Sequence, residues 1–309
     1  MSIILPDGLP AGAVLEAEGY EVHSTPRPGG RHLRIGLLNL MPDKLATEIQ
    51  FARLLGWGPR EIELVLTVPA THQPRNTPAP HIGAFYQPWR SVAQQGLDGL
   101  IVTGAPVEQM PFEAVDYWPE LCRILDWARG HVKSSYYVCW GAQAALYRFH
   151  GIGKRLLPAK LSGLYTHRIA APASRLAAEL PARFVVPVSR HTESCIGNGG
   201  EASGLVTVLE SGESGRCLVE DAGSRAVYVF NHFEYDADTL AREYRRDLAA
   251  AGAVSVPVNY FPGNDPNATP IKSWHSAAAV LFENWLRSLD RVQGSRPATT
   301  AWLESSLSA

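Results

Sequence analysis

YYVCWGAQAAL, residues 136–146, joins a β-branched and aromatic run to an alanine-rich run, with a cysteine at the seam and a glycine just inside the second run. The first run has strand composition and the second helix composition. Cys139 therefore falls where a strand ends and a helix begins, with Trp140 and Gly141 making the turn. A thiol in that place meets the helix's unpaired N–H groups and its positive dipole end, both of which favour thiolate over thiol. The same local pattern suits a small, buried, inert cysteine equally well.

Working outward, β-rich runs recur from about residue 33: LRIGLLNLM, IELVLTV, DGLIVTGAP and SSYYVC, separated by segments with helical spacing of apolar residues. That alternation specifies an α/β fold with a mostly parallel central sheet and helices on both faces. In DKLATEIQFARLLG (43–56), Asp43 is placed as N-cap, Leu45, Ile49, Ala52 and Leu55 share a face, and Gly56 marks the stop. Residues 68–91 hold five prolines without a clear period and are expected to form a long loop. The stretches 151–169 and 184–204 are expected to be short strand-like pieces divided by turn residues. GLVTVLES, RCLVE and AVYVF then suggest three more strands, an antiparallel addition to the sheet. Two helices follow: 236–252, with Leu240, Tyr244 and Leu248 at i, i+4 and i+8, and about 276–290, with Leu281, Trp285 and Leu289. Residues 1–292 are read as one domain with 1–32 as an extension packed on it, and 293–309 as a flexible tail.

Composition narrows the function. The net charge of −2 arises from well-mixed residues with no basic block, which argues against a nucleic-acid partner. Four cysteines without CxxC spacing are too few for a disulfide framework and fit a reducing cytoplasm. No signal-peptide pattern and no long apolar window occur, so neither export nor a membrane is expected. His191 and Cys195 are four apart with no second pair nearby, which makes a zinc site improbable, and no metal is expected.

A cysteine nucleophile wants a base and a group that orients the base. In NHFEYD (231–236), His232 and Glu234 are two apart just after a strand, so in extended chain both project to one side. Glu234 is then placed to fix the imidazole tautomer while the other ring nitrogen faces the thiol. Cys139 at its strand end resembles the nucleophile elbow of hydrolases with cysteine in place of serine, and the backbone N–H of Trp140 points to where an oxyanion would form. Cys122, Cys195 and Cys217 lie in helix, loop and strand contexts that favour no chemistry.

Beyond these local signals, the chain resembles the homoserine O-acyltransferases of methionine biosynthesis that share the class I glutamine amidotransferase-like (flavodoxin-like) fold. The resemblance runs in consistent order through LLNLMPDKLATEIQFARLLG, RNTPAPHIGAFY, DGLIVTGAPVEQMPFEAVDYW, VCWGAQAALYRFHGI, KLSGLYTH, NHFEYDADTLAREYRRD and NYFPGNDPNATPIKSWHS, about residues 30–290. It implies Cys139 as the acyl-thioester cysteine, His232 as general base and Glu234 as the assisting carboxylate. It implies Lys160, Ser189 and Arg246 as substrate contacts, and Lys44 near the oxyanion site. The implied reaction is ping-pong, with acetyl-CoA as co-substrate, no bound cofactor, and a homodimeric protein. Two segments depart from the family pattern: Trp274-His275-Ser276-Ala277 stands for the usual Trp-Arg-Ser-His, and NHFEYD for the common GHPEYD, so Asn231 and Phe233 replace a glycine and a proline.

In that family the residue after GAPV helps set acyl choice, glycine with succinyl and glutamate with acetyl, and here it is Glu108. Two carboxylates about 4 Å apart repel by roughly 4 kcal/mol at an effective dielectric near 20, a rate bias of several hundredfold against succinyl. A solvent-facing Glu108 would have no such effect. Serine, one methylene shorter than homoserine, stays open as acceptor, because a methylene discriminates by only about 1–3 kcal/mol. A succinyl donor, a cysteine amidotransferase or hydrolase on the same fold, and a catalytically silent binding protein are the competing readings.

Overall fold

The computed structural model describes residues 1–72, 74, 76–197 and 204–290. The elements in chain order are β1 (Ser2–Ile4), α1 (Pro10–Ala17), β2 (Glu21–His23), β3 (His32–Leu38), α2 (Lys44–Leu55), β4 (Glu61–Val68), α3 (Ala79–Phe85), β5 (Gln87–Pro88), α4 (Trp89–Gln95), β6 (Gly99–Val102), α5 (Trp118–His131), β7 (Ser134–Val138), α6 (Trp140–His150), β8 (Lys154–Ile169), β9 (Arg183–Ser194), β10 (Leu205–Ser211), β11 (Gly215–Asp221), β12 (Ala226–Val229), α7 (Thr239–Ala251) and α8 (His275–Asp290). One sheet runs in the order β2-β1-β4-β3-β6-β7-β12-β11-β10-β8-β9, with β5 paired to β4. It is parallel from β2 to β12 and antiparallel from β12 to β9.

The parallel strands are buried on both faces, which explains their near-continuous apolar runs. Successive side chains feed opposite cores: Leu37, Ile101 and Tyr136 join Leu15, Phe51, Leu281 and Trp285 on the face covered by α1, α2 and α8. Leu38, Val102 and Tyr137 join Val92, Ile124 and Leu146 on the face covered by α4, α5 and α6. A smaller cluster of Leu164, Tyr235, Leu240, Tyr260, Phe261 and Trp274 seats α7 beside the antiparallel end.

Several expectations are corrected. Residues 68–91 contain α3, β5 and the first turn of α4 rather than a long loop. Three of the five prolines lie at helix starts, Pro78 and Pro88 at N-cap positions and Pro80 in the first turn of α3, where the missing N–H costs nothing, and Trp89, Val92 and Ala93 anchor α4 in the core. The pieces expected after residue 151 merge into two long strands, β8 and β9, paired over most of their length with an irregularity between Leu156 and Leu161. Of the three added strands, β12 is parallel to β7 as well as antiparallel to β11, so it belongs to the main sheet. In α2 the Asp43 carboxylate does accept from the Ala46 amide, but Leu45 is exposed and the buried side chains are Lys44, Thr47, Glu48, Gln50, Phe51, Ala52, Leu54 and Leu55. In α7 Leu248 is exposed too, and only Leu240 and Ala241 are buried. Leu281, Trp285 and Leu289 of α8 are buried as expected. The tail expected at 293–309 lies outside the described residues. Residues 1–32 supply β1, α1 and β2, and β1 pairs with β4.

Among the described residues, no helix is long and apolar enough to cross a membrane.

The turn from β7 into α6 depends on Gly141. A Cβ there would stand 2.6 Å from the Thr103 carbonyl oxygen and 2.8 Å from that of Val102, both backbone atoms of the neighbouring β6 edge. Gly141→Ala is therefore expected to destabilise the fold by about 1–3 kcal/mol through overpacking, read as a lowered midpoint in urea unfolding with an unchanged slope.

Candidate active site

Cys139 occupies the N-cap position of α6 with φ 50° and ψ −117°, a conformation that L-residues rarely adopt. Its amide donates to the Val229 carbonyl at the end of β12, 2.7 Å away, which keys the elbow to the adjacent strand. Trp140 begins the helix, so its N–H belongs to the unpaired first turn beside the thiol. Gly104 of the β6 loop passes so near that a Cβ on it would lie 3.2 Å from the Cys139 Cβ.

The chain leaves β12 and turns at once into His232, which is buried and whose amide donates to the Pro187 carbonyl of β9 at 2.9 Å. The imidazole is hydrogen-bonded to the Cys139 thiol on one side and, through Nδ1, to the Glu234 carboxylate at 2.7 Å on the other. Burial disfavours its charged form, but the charges of Glu234 and of Cys139, with the hydrogen bonds from both, outweigh burial and hold its pKa well above the ordinary histidine value. The ring is sandwiched from one face by Tyr235, whose ring centre is 4.1 Å away and nearly parallel. Trp274 fixes that residue by donating from Nε1 to the Tyr235 carbonyl at 3.0 Å. The other thiols differ: burial pushes Cys122 up to about 11 and Cys217 up to about 12, so both stay protonated at neutral pH.

Ser189 and Lys160 meet one carboxylate that sequence reading overlooked, and Arg246 joins them through a second, Asp247. Glu243 of α7 accepts from the Ser189 hydroxyl at 2.5 Å and from the Tyr235 hydroxyl at 2.7 Å, and lies 3.5 Å from the Lys160 ammonium. Burial pushes its pKa up, but the Lys160 charge and the two hydroxyl bonds more than offset this and leave the carboxyl below its usual range. Lys160 also pairs with Asp247 at 2.7 Å, and Arg246 holds the other oxygen of Asp247 with Nε and one terminal nitrogen while its side chain stays largely exposed. The signal for Glu243 and Asp247 was present as spacing: they are three before and one after Arg246, on the α7 flank turned to β8. A cavity of about 500 Å³ opens here, lined by Lys160, Tyr165, His191, Tyr244, Asp247 and Val258.

Glu108 is half-buried, and its Oε2 accepts the His191 amide of β9 at 3.0 Å. Its carbonyl and that of Met110 take the Lys154 ammonium. Arg190 is buried, which lowers its pKa, and the charges of Cys139, Cys217, Glu193 and Glu108 oppose that. Strand alternation hid it, since it points to the opposite face of β9 from Ser189. Lys44 is buried with its ammonium donating to the Asn39 and Met41 carbonyls at 2.6 and 3.1 Å. Burial lowers its pKa to about 8, with Glu48 partly restoring it.

The two family departures also find places. Asn231 accepts from Arg190 at 2.7 Å and bonds the His167 ring at 2.9 Å, while Phe233 fills the core against Phe184. His275 packs edge-on against Trp57, 4.7 Å between ring centres. Among the described residues, no three His, Cys, Asp or Glu side chains cluster as a metal ion would require.

Comparison with known proteins bears on the family and the fold. A family model described as homoserine O-succinyltransferase matches residues 2–292. The homoserine O-acetyltransferase of Cereibacter sphaeroides is 48% identical over 292 residues, covering 94% of this chain and 96% of that protein. That of Rhizorhabdus wittichii is 49% identical over 294 residues, covering 94% and 92%. Among solved structures, a glutamine amidotransferase from Thermotoga maritima superposes with a TM-score of 0.53 at 11% identity, over 85% of this chain and all of that one. One from Methylobacillus flagellatus gives 0.52 at 14% identity, over 86% and 98%. The fold is thus that of the class I glutamine amidotransferases, and by sequence the chain belongs to the homoserine O-succinyltransferase family.

Proposed function

We propose that this protein is a homoserine O-acetyltransferase of methionine biosynthesis that works through an acetyl-thioester on Cys139. The observation that carries the mechanism is the hydrogen-bonded line from the Cys139 thiol through His232 to Glu234, set on a strained strand-to-helix turn. The names of the relatives, and Glu108 at the acyl-selecting position, support acetyl as the transferred group.

In the first half-reaction the Cys139 thiolate attacks the thioester carbon of acetyl-CoA, and the negative charge moves to the carbonyl oxygen. The Trp140 N–H at the start of α6 is the proposed donor to that oxygen, with Lys44 behind it; one such donor is typically worth about 3–4 kcal/mol. Collapse expels the coenzyme A sulfur, which takes the proton held by the His232 imidazolium. In the second half His232, now neutral, removes the proton of the homoserine hydroxyl as its oxygen attacks the acetyl-enzyme, and Cys139 leaves as thiolate. Glu234 holds the ring in one tautomer and stabilises its cation in both halves.

The acceptor's two charges match the polar set on the α7 side. Glu243, an anion whose partners are a lysine and two hydroxyls, is suited to an α-ammonium group. Arg246 has an edge that Asp247 does not use and is suited to the α-carboxylate. Homoserine carries both groups with a hydroxyl long enough to reach past Ser189. Glu108, held by the His191 amide, supplies a carboxylate with a fixed position, which supports the acetyl reading if the succinyl chain is directed towards it.

Intact-mass measurement after mixing with acetyl-CoA, without acceptor, should show one added acetyl group that homoserine discharges. Cys139→Ser should abolish the adduct, and ammonia released from glutamine in its place would point to amidotransferase chemistry. Glu108→Gly should move the ratio of kcat/KM for succinyl-CoA over acetyl-CoA upward by roughly a hundredfold or more; a wild type that already prefers succinyl-CoA would sink the acetyl assignment. Glu234→Gln removes the largest influence holding the His232 pKa up. The imidazolium then loses its proton at lower pH, which an NMR titration of the His232 ring should read directly. Turnover should fall about 10²-fold or more.

A further inference from the structure

A second cavity, of about 270 Å³, reaches Cys139 from the side of β9, β10 and β11. Cys139, Gln143, Phe230 and Arg190 lie at its inner end, and Thr207 and Arg216, less buried, at its outer end. It is separate from the cavity beside Lys160: β9 stands between them, with Arg190 in the wall of one and His191 in the wall of the other. Cys139 lines this cavity and not the one beside Lys160, so the two hollows can serve different groups.

The charge balance of the Cys139 cavity is uneven. Its two acidic residues are already neutralised, Glu193 by Arg155 at 2.6 Å and Glu210 by Arg168. Its two arginines have no carboxylate partner among the described residues. Arg190 donates to Asn231 and to the Ser214 carbonyl, and Arg216 donates from Nε to Thr207 at 3.2 Å and from one terminal nitrogen to the Ile196 carbonyl at 2.9 Å. Both guanidinium groups are thus oriented by neutral acceptors, with no carboxylate in ion-pair contact among the described residues. Two polar atoms of the same wall, Arg190 Nε and Ser194 Oγ, are buried without a hydrogen-bond partner among the described residues. A ligand that fits is long and narrow, carries an electrophile at one end and amides along its length, and bears negative charge at the other end.

We propose that this cavity is the channel for the pantetheine arm of the acyl-CoA donor, with Arg216 at its outer end holding a phosphate of the coenzyme, and that the acceptor enters through the separate cavity beside Lys160. The proposal rests on the acyl-enzyme reading above and adds to it the place and the phosphate contact of the donor. Because the reaction divides into two half-reactions, the two entrances can be tested apart.

The experiment compares wild type, Arg216→Ala and Arg216→Lys, using two acetyl donors: acetyl-CoA, and S-acetyl-N-acetylcysteamine, which keeps the thioester and one amide but has no phosphate. Arg216→Ala should raise KM for acetyl-CoA about tenfold, the loss of one charge-assisted contact. The short donor's KM should change by less than about twofold, as should the rate at which homoserine discharges preformed acetyl-enzyme. Arg216→Lys, which keeps the charge and spares the fold, should fall between wild type and alanine. Raised salt should weaken acetyl-CoA use by wild type more than by Arg216→Ala. The placement is overturned if the alanine variant affects both donors alike, slows discharge by homoserine, or leaves acetyl-CoA unaffected. A wild-type protein that accepts no acetyl group from either donor would overturn the acyl-enzyme reading itself.

Discussion

The site depends on one backbone hydrogen bond, from the Cys139 N–H to the Val229 carbonyl, which prolongs the parallel pairing of β7 and β12 by one residue. That bond holds the thiol at the level where the neighbouring strand ends, three residues before His232. Without it, two side chains ninety-three positions apart in sequence would have no common frame. The positive φ of Cys139 costs about 1–3 kcal/mol. It persists because the strands on either side are buried, Tyr136, Tyr137 and Val138 on one and Val227, Tyr228 and Val229 on the other. Gly141 and Gly104 let the β6 edge close against the same turn from the remaining side.

Around that frame the ionisable groups sort by what faces them. His232 is raised because a carboxylate and a thiol flank it in a buried place. Glu243 is lowered because a lysine and two hydroxyls face it. Lys44 is brought down towards neutrality by burial, with two carbonyls for company. Tyr235 ties the first two together, its ring against the imidazole and its hydroxyl on Glu243, so the base and the polar set at α7 share a wall. At His232 and Glu243 the facing charges and hydrogen bonds outweigh burial, whereas at Lys44 burial outweighs Glu48.

Much of this was legible in sequence because it is local. A strand running into a helix at Cys139, a carboxylate two residues from a histidine at a strand end, and an Asp-to-Gly bracket around α2 are patterns within a dozen residues. What stayed hidden depends on long-range contacts. The prolines at 78 and 88 looked like loop until the core behind Trp89 and Val92 showed that they start helices. Leu45 and Leu248 have the right spacing for a buried face, yet α2 turns Lys44 and Glu48 inward instead, and the far end of α7 stands clear of the core. Arg190 is invisible beside Ser189 because its importance comes from Asn231, Ser214 and Cys139, each on a different element. Family likeness supplied Ser189, Lys160 and Arg246, while Glu243 and Asp247, the carboxylates that join them, came from the coordinates.

Gly163, at φ 147°, lets the stretch after α7 lie directly on β8, where Val258 donates to the Ser162 carbonyl at 2.9 Å and accepts from the Leu164 amide at 2.8 Å. Val258 also lines the hollow beside Lys160. That wall is thus fastened by a clasp of two bonds, each worth only about 1 kcal/mol net. Parting it asks far less than unravelling the sheet, so the hollow beside Lys160 can change width while the strands behind it keep their pairing.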